Sequence, residues 1–162
     1  MIKYEEVRNI KKLAAIASDI WHEYWSDILS LEQIDYMVEK FQSEDAIVNQ
    51  IKNEKYIYFF IKYNRQDVGY IGLCRKEDYL FLSKIYVQKQ FRHMGIGTNA
   101  FEFIKSYAKS QHYNRIILTV NKNNTNTTSA YFKWGFSIID SVVTDIGSAF
   151  VMDDYVMEYK IS

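Results

Sequence analysis

The chain has no surplus charge: 20 basic side chains stand against 20 acidic ones. Nucleic-acid-binding and acidic-membrane-binding domains carry a basic excess, so neither partner is expected. Cysteine is almost absent. Cys74 alone cannot form an internal disulfide, and with His22, His93 and His112 scattered along the chain no Cys/His cluster has zinc spacing. A reducing cytoplasmic setting and a site without metal are the expectation. Long apolar runs are also missing. Nothing approaches the roughly 20 residues needed to span a bilayer, and Met1–Glu6 contains no signal core, so no membrane association is expected. Proline does not occur, while Ile, Lys, Asn, Tyr and Phe are used heavily, a bias toward AT-rich codons that points to a low-GC bacterium. The sequons at Asn123 and Asn126 have meaning only in a secreted chain and are set aside.

What is present is a core. With 48% hydrophobic residues, 162 residues suffice for one compact domain and are too few for two ordinary ones, so residues 1–162 are read as a single domain. Ile2 to Val7 alternates like a strand, and Leu13, Ile16, Ala17, Ile20, Trp21 and Tyr24 repeat at helical spacing. Trp25 to Leu29 reads as a loop. Ser30 followed by Gln33 resembles a capping box before a second helix, and Ser43 is a cap for a short third one reaching Ile51. Tyr56–Tyr63, Val68–Cys74 and Tyr79–Val87 are rich in β-branched and aromatic residues and read as an antiparallel meander. A helix follows with Ile96, Ala100, Phe103, Ile104, Tyr107 and Ala108 on its apolar face, then a strand over Ile116–Val120 and a helix over Thr127–Trp134 that stops at Gly135. Phe136–Val143 and Phe150–Tyr159 close the chain as a strand pair. The order β-α-α-β-β-β-α-β-α-β-β is that of an α/β (α+β) fold, one mixed sheet flanked by helices.

The most informative stretch joins a strand to a helix through Arg92-x-x-Gly95-x-Gly97. Glycines let the main chain turn and approach a ligand without Cβ interference, and the helix that follows offers unpaired amides at its positive dipole end. Such a junction cradles phosphate. Gly95 to Ala100 also satisfies the dinucleotide pattern G-x-G-x-x-A, but that fold needs its glycines directly after a strand and an acidic residue at the tip of the next one. Here Gln88 to Met94 intervenes and the next tip is Asn121.

Three features in register resemble the Gcn5-related N-acetyltransferase (GNAT) superfamily. Ile85-Tyr86-Val87 precedes the loop like the end of that family's fourth strand. Arg92 to Gly97 is similar to its Arg/Gln-x-x-Gly-x-Gly/Ala signature, and Asn124 to Phe136 to its later Asn-x6-Tyr-x3-Gly-Phe pattern. The resemblance implies a GNAT-like fold and acetyl-CoA as cosubstrate. It implies that backbone groups of Ile85, Tyr86 and Val87 hold the pantetheine like an added strand. It implies further that Arg92, His93, Met94, Gly95, Ile96, Gly97 and Thr98 surround the pyrophosphate, that Asn124 contacts the pantetheine, and that Tyr131 acts toward the departing thiolate. A glutamate serves as base in some members, but Tyr79 stands at the position aligned with it, which leaves Glu77, Asp78, His22, Glu23 or a water chain as candidates.

Ile20 to Tyr24 and Phe150 to Met157 are similar to a bacterial subgroup that includes a polyamine (spermidine/spermine) acetyltransferase, which implies a small-molecule amine substrate. Trp21, Glu23, Tyr24 and Asp27 are expected around that amine, with Asp153 and Asp154 as further acids. A protein N-terminus or lysine is the alternative acceptor, and a non-catalytic acyl-CoA-binding regulatory module the alternative class. Cys74 is expected to be inert. The aromatic and methionine content of the last strands would suit a homodimer contact as well as a core.

Overall fold

The computed structural model describes residues Met1–Ser162. β1 (Ile2–Glu6) leads into α1 (Ile10–Tyr24), which begins where the Asn9 side chain accepts a hydrogen bond from the Lys12 amide at 3.0 Å. α2 (Leu31–Gln42) and α3 (Glu44–Asn53) are capped in the same way by Ser30 and Ser43, which receive the amides of Gln33 and Ala46. Ser43 ends α2 and opens α3 in a single extended residue. Three helices therefore precede the meander: the short one expected after Ser43 is present and runs to Asn53, and the order β-α-α-β-β-β-α-β-α-β-β leaves it uncounted. The capping box at Ser30 is half formed. The Gln33 side chain donates to the Val151 carbonyl at 3.3 Å instead of returning to Ser30, and so ties α2 to the final hairpin.

β2 (Tyr56–Tyr63), β3 (Gln66–Arg75) and β4 (Leu80–Val87) form the expected antiparallel meander. A 3-10 turn (Lys89–Phe91), α4 (Ile96–Ser110), β5 (Arg115–Asn121), α5 (Thr125–Trp134), β6 (Ser137–Gly147) and β7 (Phe150–Lys160) complete the chain. All seven strands join one sheet in the order β1-β2-β3-β4-β5-β7-β6. Every pairing is antiparallel except that of β4 with β5.

Period-2 alternation sorts the sheet residues onto two faces. Phe59, Ile61, Ile71 and Leu73 meet Ile96, Ala100, Phe101 and Ile104 of α4 and Tyr131 of α5. Tyr58, Phe60 and Tyr70 face the other way, onto Leu13, Ala17 and Ile20 of α1 and Ile47 of α3. A smaller cluster packs Trp21 and Trp25 against Ile34 and Met37 of α2 and Ile146 of β6. The second face also buries a hydrogen-bonded polar network. The Trp21 indole donates to the Tyr70 hydroxyl (2.7 Å), which donates to the Gln42 carbonyl oxygen (2.6 Å), and the Tyr58 hydroxyl donates to Gln50 (2.6 Å). This network ties all three N-terminal helices to β2 and β3. Removal of one member would leave a buried orphan costing about 1–3 kcal/mol.

In the final hairpin Met157 is buried, while Ile139, Val143 and Val151 are exposed. No helix is long and apolar enough to cross a membrane.

Candidate active site

The site begins with a gap in the sheet. β4 and β5 pair only at Leu80–Ile116 and Phe81–Ile117, and beyond that point the two strands diverge. Along the free part of β4, the Gln88 amide bonds to the Val68 carbonyl at 2.8 Å, so alternation turns the Tyr86 backbone toward β3 and those of Ile85 and Val87 toward the opening. The Val87 carbonyl is already occupied by Arg92 Nε at 2.9 Å.

A cleft of about 940 Å³ runs along this edge. After the 3-10 turn, His93 and Gly95 adopt positive φ (63° and 79°), and α4 starts at Ile96. Gly95 is its N-cap and supplies no side chain, and the first backbone bond of the helix is Asn99 to the Gly95 carbonyl. The amides of Ile96, Gly97 and Thr98 therefore have no intrahelical partner. Only Gly95 of the two glycines needs a left-handed backbone. Gly97 is helical, and a Cβ there would make an ordinary 3.6 Å contact with Trp134, so its bare side matters toward the cleft alone. α5 repeats the arrangement: its N-cap Asn124 makes no capping bond, because its side chain donates to the Tyr24 hydroxyl at 2.6 Å. Lys89, Arg92, His93 and Lys133 give the cleft its basic groups.

Arg92 is not a solvated loop residue. Besides Val87, its guanidinium pairs with Glu23 (Nη2–Oε1 2.6 Å, Nη1–Oε2 3.3 Å) and lies 5.2 Å from the centre of the Tyr24 ring. The end of α1 is thus clamped to the loop. Tyr24 also contacts Thr127 of α5 through its hydroxyl and packs edge-on against Tyr86 at 5.4 Å.

On the other side of the fork lies a second cavity of about 210 Å³. It shares Tyr24, Ile85, Tyr86, Asn124, Thr127 and Tyr131 with the cleft, so the two spaces meet there. Its walls are largely hydrophobic, with aromatic rings prominent among them. Among its lining residues the only ionisable acid other than tyrosine is Asp154 and the only cation is Lys84. Asp154 is 5% exposed, and its Oδ1, like the Trp25 Nε1, is a buried polar atom without a hydrogen-bond partner. Burial, aided by the Asp153 charge, raises the Asp154 carboxyl to about 6. Burial likewise pushes the Tyr131 phenol well above its ordinary range.

The residues expected around the cosubstrate all line the cleft except Met94, whose side chain projects into solvent at 50% exposure. Those expected around the acceptor divide. Trp21 borders the smaller cavity with its indole N–H committed to Tyr70, Tyr24 stands where the spaces meet, and Glu23 and Asp27 line only the cleft. The candidate bases do not gather at the meeting point. Glu77 and Asp78 are exposed in the β3–β4 turn, His22 pairs with Asp35 at 2.6 Å outside both cavities, and Glu23 is held by Arg92. The Asp35 hydrogen bond raises His22. Cys74 is buried and donates to the Glu54 carbonyl, and burial pushes its thiol up, which makes it a poor nucleophile.

Two residues in the smaller cavity escaped sequence reasoning in these positions. Lys84 was one of many lysines. Asp154 was noted beside Asp153 as an acid, but nothing in the pair told which is buried. The register of β7 against Asn121 and Val142 turns Asp154 inward, while Asp153 pairs with Lys122 at 2.9 Å.

Comparison with known proteins agrees with this geometry. An uncharacterised N-acetyltransferase of Lactobacillus delbrueckii subsp. lactis is 23% identical over 148 residues, 86% of each chain. Spermidine N(1)-acetyltransferase of Thermoplasma acidophilum is 23% identical over 156 residues, 94% of each chain. The crystal structure of PaiA N-acetyltransferase from T. acidophilum in complex with coenzyme A superposes with a TM-score of 0.82 at 21% identity, covering 99% of both chains. The ribosomal-protein-S18-alanine N-acetyltransferase of Escherichia coli shares the fold at a TM-score of 0.72 and 16% identity, covering all of this chain and 95% of its own. The sequence model of the acetyltransferase (GNAT) family matches residues 15–136, and the chain belongs to that family.

Proposed function

We propose that this acetyltransferase moves an acetyl group from acetyl-CoA to a small primary amine. The observation that carries the reading is the meeting of two unlike cavities at Tyr24, Tyr86 and Tyr131, one fringed by free amides and the other holding an unpartnered acid. The cleft residues suit a CoA chain. Ile85 and Val87 present backbone groups to an extended ligand, the amides of Ile96, Gly97 and Thr98 receive its pyrophosphate, and Asn124 borders the same path. Arg92 acts by position, fixing the loop to β4 and α1. When bound, acetyl-CoA supplies a thioester whose carbonyl is open to attack by nitrogen.

The amine must be neutral when it attacks. For a lysine-like amine, deprotonation at pH 7 costs about 4.6 kcal/mol, from roughly 3.4 pKa units at 1.36 each. Asp154 is the group placed to take the proton. It faces the cavity, has no competing partner, and at about 6 is still ionised at neutral pH yet more basic than an ordinary carboxylate. Tyr131 stands on the cleft side of the same junction. Its raised phenol makes full proton transfer to a thiolate uphill, so its role is to donate a hydrogen bond to the sulfur as negative charge develops there.

A cavity of about 210 Å³ favours a small acceptor over a polypeptide, which would need an open groove. The spermidine N(1)-acetyltransferase relative supports an amine and brings polyamines into the set to be tested. The single free, buried cysteine fits a reaction run in the cytoplasm. A thioester-consumption assay over mono-, di- and polyamines and a peptide with a free N-terminus tests the reading. Turnover with small amines is expected. Turnover with the peptide alone would replace the acceptor, and tight CoA binding without any turnover would make the chain a regulatory module.

A further inference from the structure

The acceptor cavity contains one cation, and that cation has no anionic partner. The β4 register skips at Ser83, where Gly72 pairs with Lys84 and Leu73 with Leu82. Leu80 and Leu82 face the α4 side before the skip and Ile85 and Val87 face it afterwards, so Lys84 and Tyr86 point into the cavity. The Lys84 stem lies across β3 in space that exists because Gly72 lacks a Cβ. A methyl there would stand 3.0 Å from Lys84 Cγ and 2.8 Å from the Tyr58 ring. The amine touches Ser83 Oγ and lies 5.3 Å from the centre of the Tyr56 ring.

Apart from Asp154, the inward charges outside this cavity have counterions. Asp67 holds Lys12 and Lys62, Arg92 holds Glu23, and Arg115 holds Glu158 at 3.0 Å. Lys84 has no carboxylate within ion-pair distance, and burial lowers its ammonium to about 8. Lys84 sits at the end of the cavity walled by Tyr56 and Phe81, beyond which a separate pocket holds Glu54 and Cys74, whereas Asp154 lies beside Tyr86, Asp153 and Lys122 at the other end. The cavity is therefore polarised, with its acid near the thioester end and an unclaimed cation remote from it.

We infer that the acceptor is an amino acid-like molecule, a primary amine that also carries a carboxylate, and that Lys84 binds the carboxylate while the amine lies toward Asp154 and Tyr131. The inference rests on the proposed N-acetyltransferase function and narrows it away from polyamines. A second ammonium would enter a cavity whose one unpaired charge away from the reacting end is already positive. A carboxylate supplies the counterion that Lys84 lacks.

Chain-length-matched acceptors test this. Butylamine, 4-aminobutanoate and 1,4-diaminobutane, with their three-, five- and six-carbon homologues and spermidine, are compared by kcat/KM at saturating acetyl-CoA. In the wild type a carboxylated member is expected to exceed its matched diamine at least tenfold. Lys84→Met should shrink the ratio of carboxylated to plain amine at least tenfold, chiefly through KM, and Lys84→Glu should reverse the preference in favour of the diamine. CoA affinity and melting temperature, measured on each variant, establish that it is folded. A wild type that prefers diamines or spermidine, or a Lys84→Met variant that slows all three amine classes equally, overturns the inference and leaves the proposed function standing. Failure of every amine to react, with CoA bound, overturns both.

Discussion

The two halves of the site are built from different materials. The donor cleft is made mostly of backbone: the free edge of β4, a loop with two residues at positive φ, and the uncapped starts of α4 and α5. The acceptor cavity is made of side chains drawn from α1, α2, β2, β4, β5, β7 and α5. The three helices whose N-termini lie away from the cleft spend a side chain on their first amides, through Asn9, Ser30 and Ser43, whereas the two that start at it leave theirs open. A backbone site takes a cosubstrate of fixed structure. A side-chain site can be retuned residue by residue toward a different amine without disturbing the first.

Substitutions that strike one half and spare the other sharpen this contrast. The largest effect is expected at Asp154. Asp154→Asn should lower kcat by about 100-fold, within the range for a general base, with CoA affinity unchanged by calorimetry. Asp154 accepts a proton only when ionised, so wild-type kcat/KM should rise with pH through about 6, and that limb should vanish in the variant. The folded-state value lies above the ordinary carboxylate value, so the ionised form costs the fold stability above about 6. Asp154→Asn should accordingly keep or raise the melting temperature at pH 7 and above, and the difference should shrink as pH falls.

Tyr131→Phe should reduce turnover at least tenfold while CoA affinity stays nearly constant. Loss of CoA affinity in step with turnover would mean that the hydroxyl serves binding. Gly95→Val attacks the donor half alone. No atom lies within 4 Å of the site of a new Cβ, so the penalty comes from the left-handed backbone, roughly 1–2 kcal/mol and thus about tenfold in CoA affinity, with kcat at saturation little altered. Ser43→Ala should touch neither half, lowering stability by about 1 kcal/mol in denaturant melts while CoA affinity and kcat hold.

The contrast also explains what could be read in advance. Gly95 and Gly97 marked a phosphate cradle in advance, because a backbone conformation is written locally in glycines and helix starts, whereas Asn124 and Tyr131 came into view only through the family resemblance. Strand alternation and the Ser30 and Ser43 caps likewise placed most elements within a few residues of their ends. The acceptor half was not legible. Nothing in Leu80–Val87 marks the register skip at Ser83 that turns Lys84 into the cavity, and adjacent Asp153 and Asp154 differ only in which sheet face their strand pairing assigns them. Glu23 was expected to meet a cationic substrate and meets Arg92, a partner 69 residues away that no local pattern reveals.

The fork between β4 and β5 has a consequence on the timescale of amide hydrogen exchange. Beyond Phe81 the parallel ladder lacks its rungs, so the amides of Ile85 and Val87 face an opening inside an otherwise continuous sheet. A ligand lying along that edge completes the ladder as a strand would. Exchange at these two positions should slow by orders of magnitude when CoA binds, while the neighbouring Tyr86 amide, already turned toward β3, changes little.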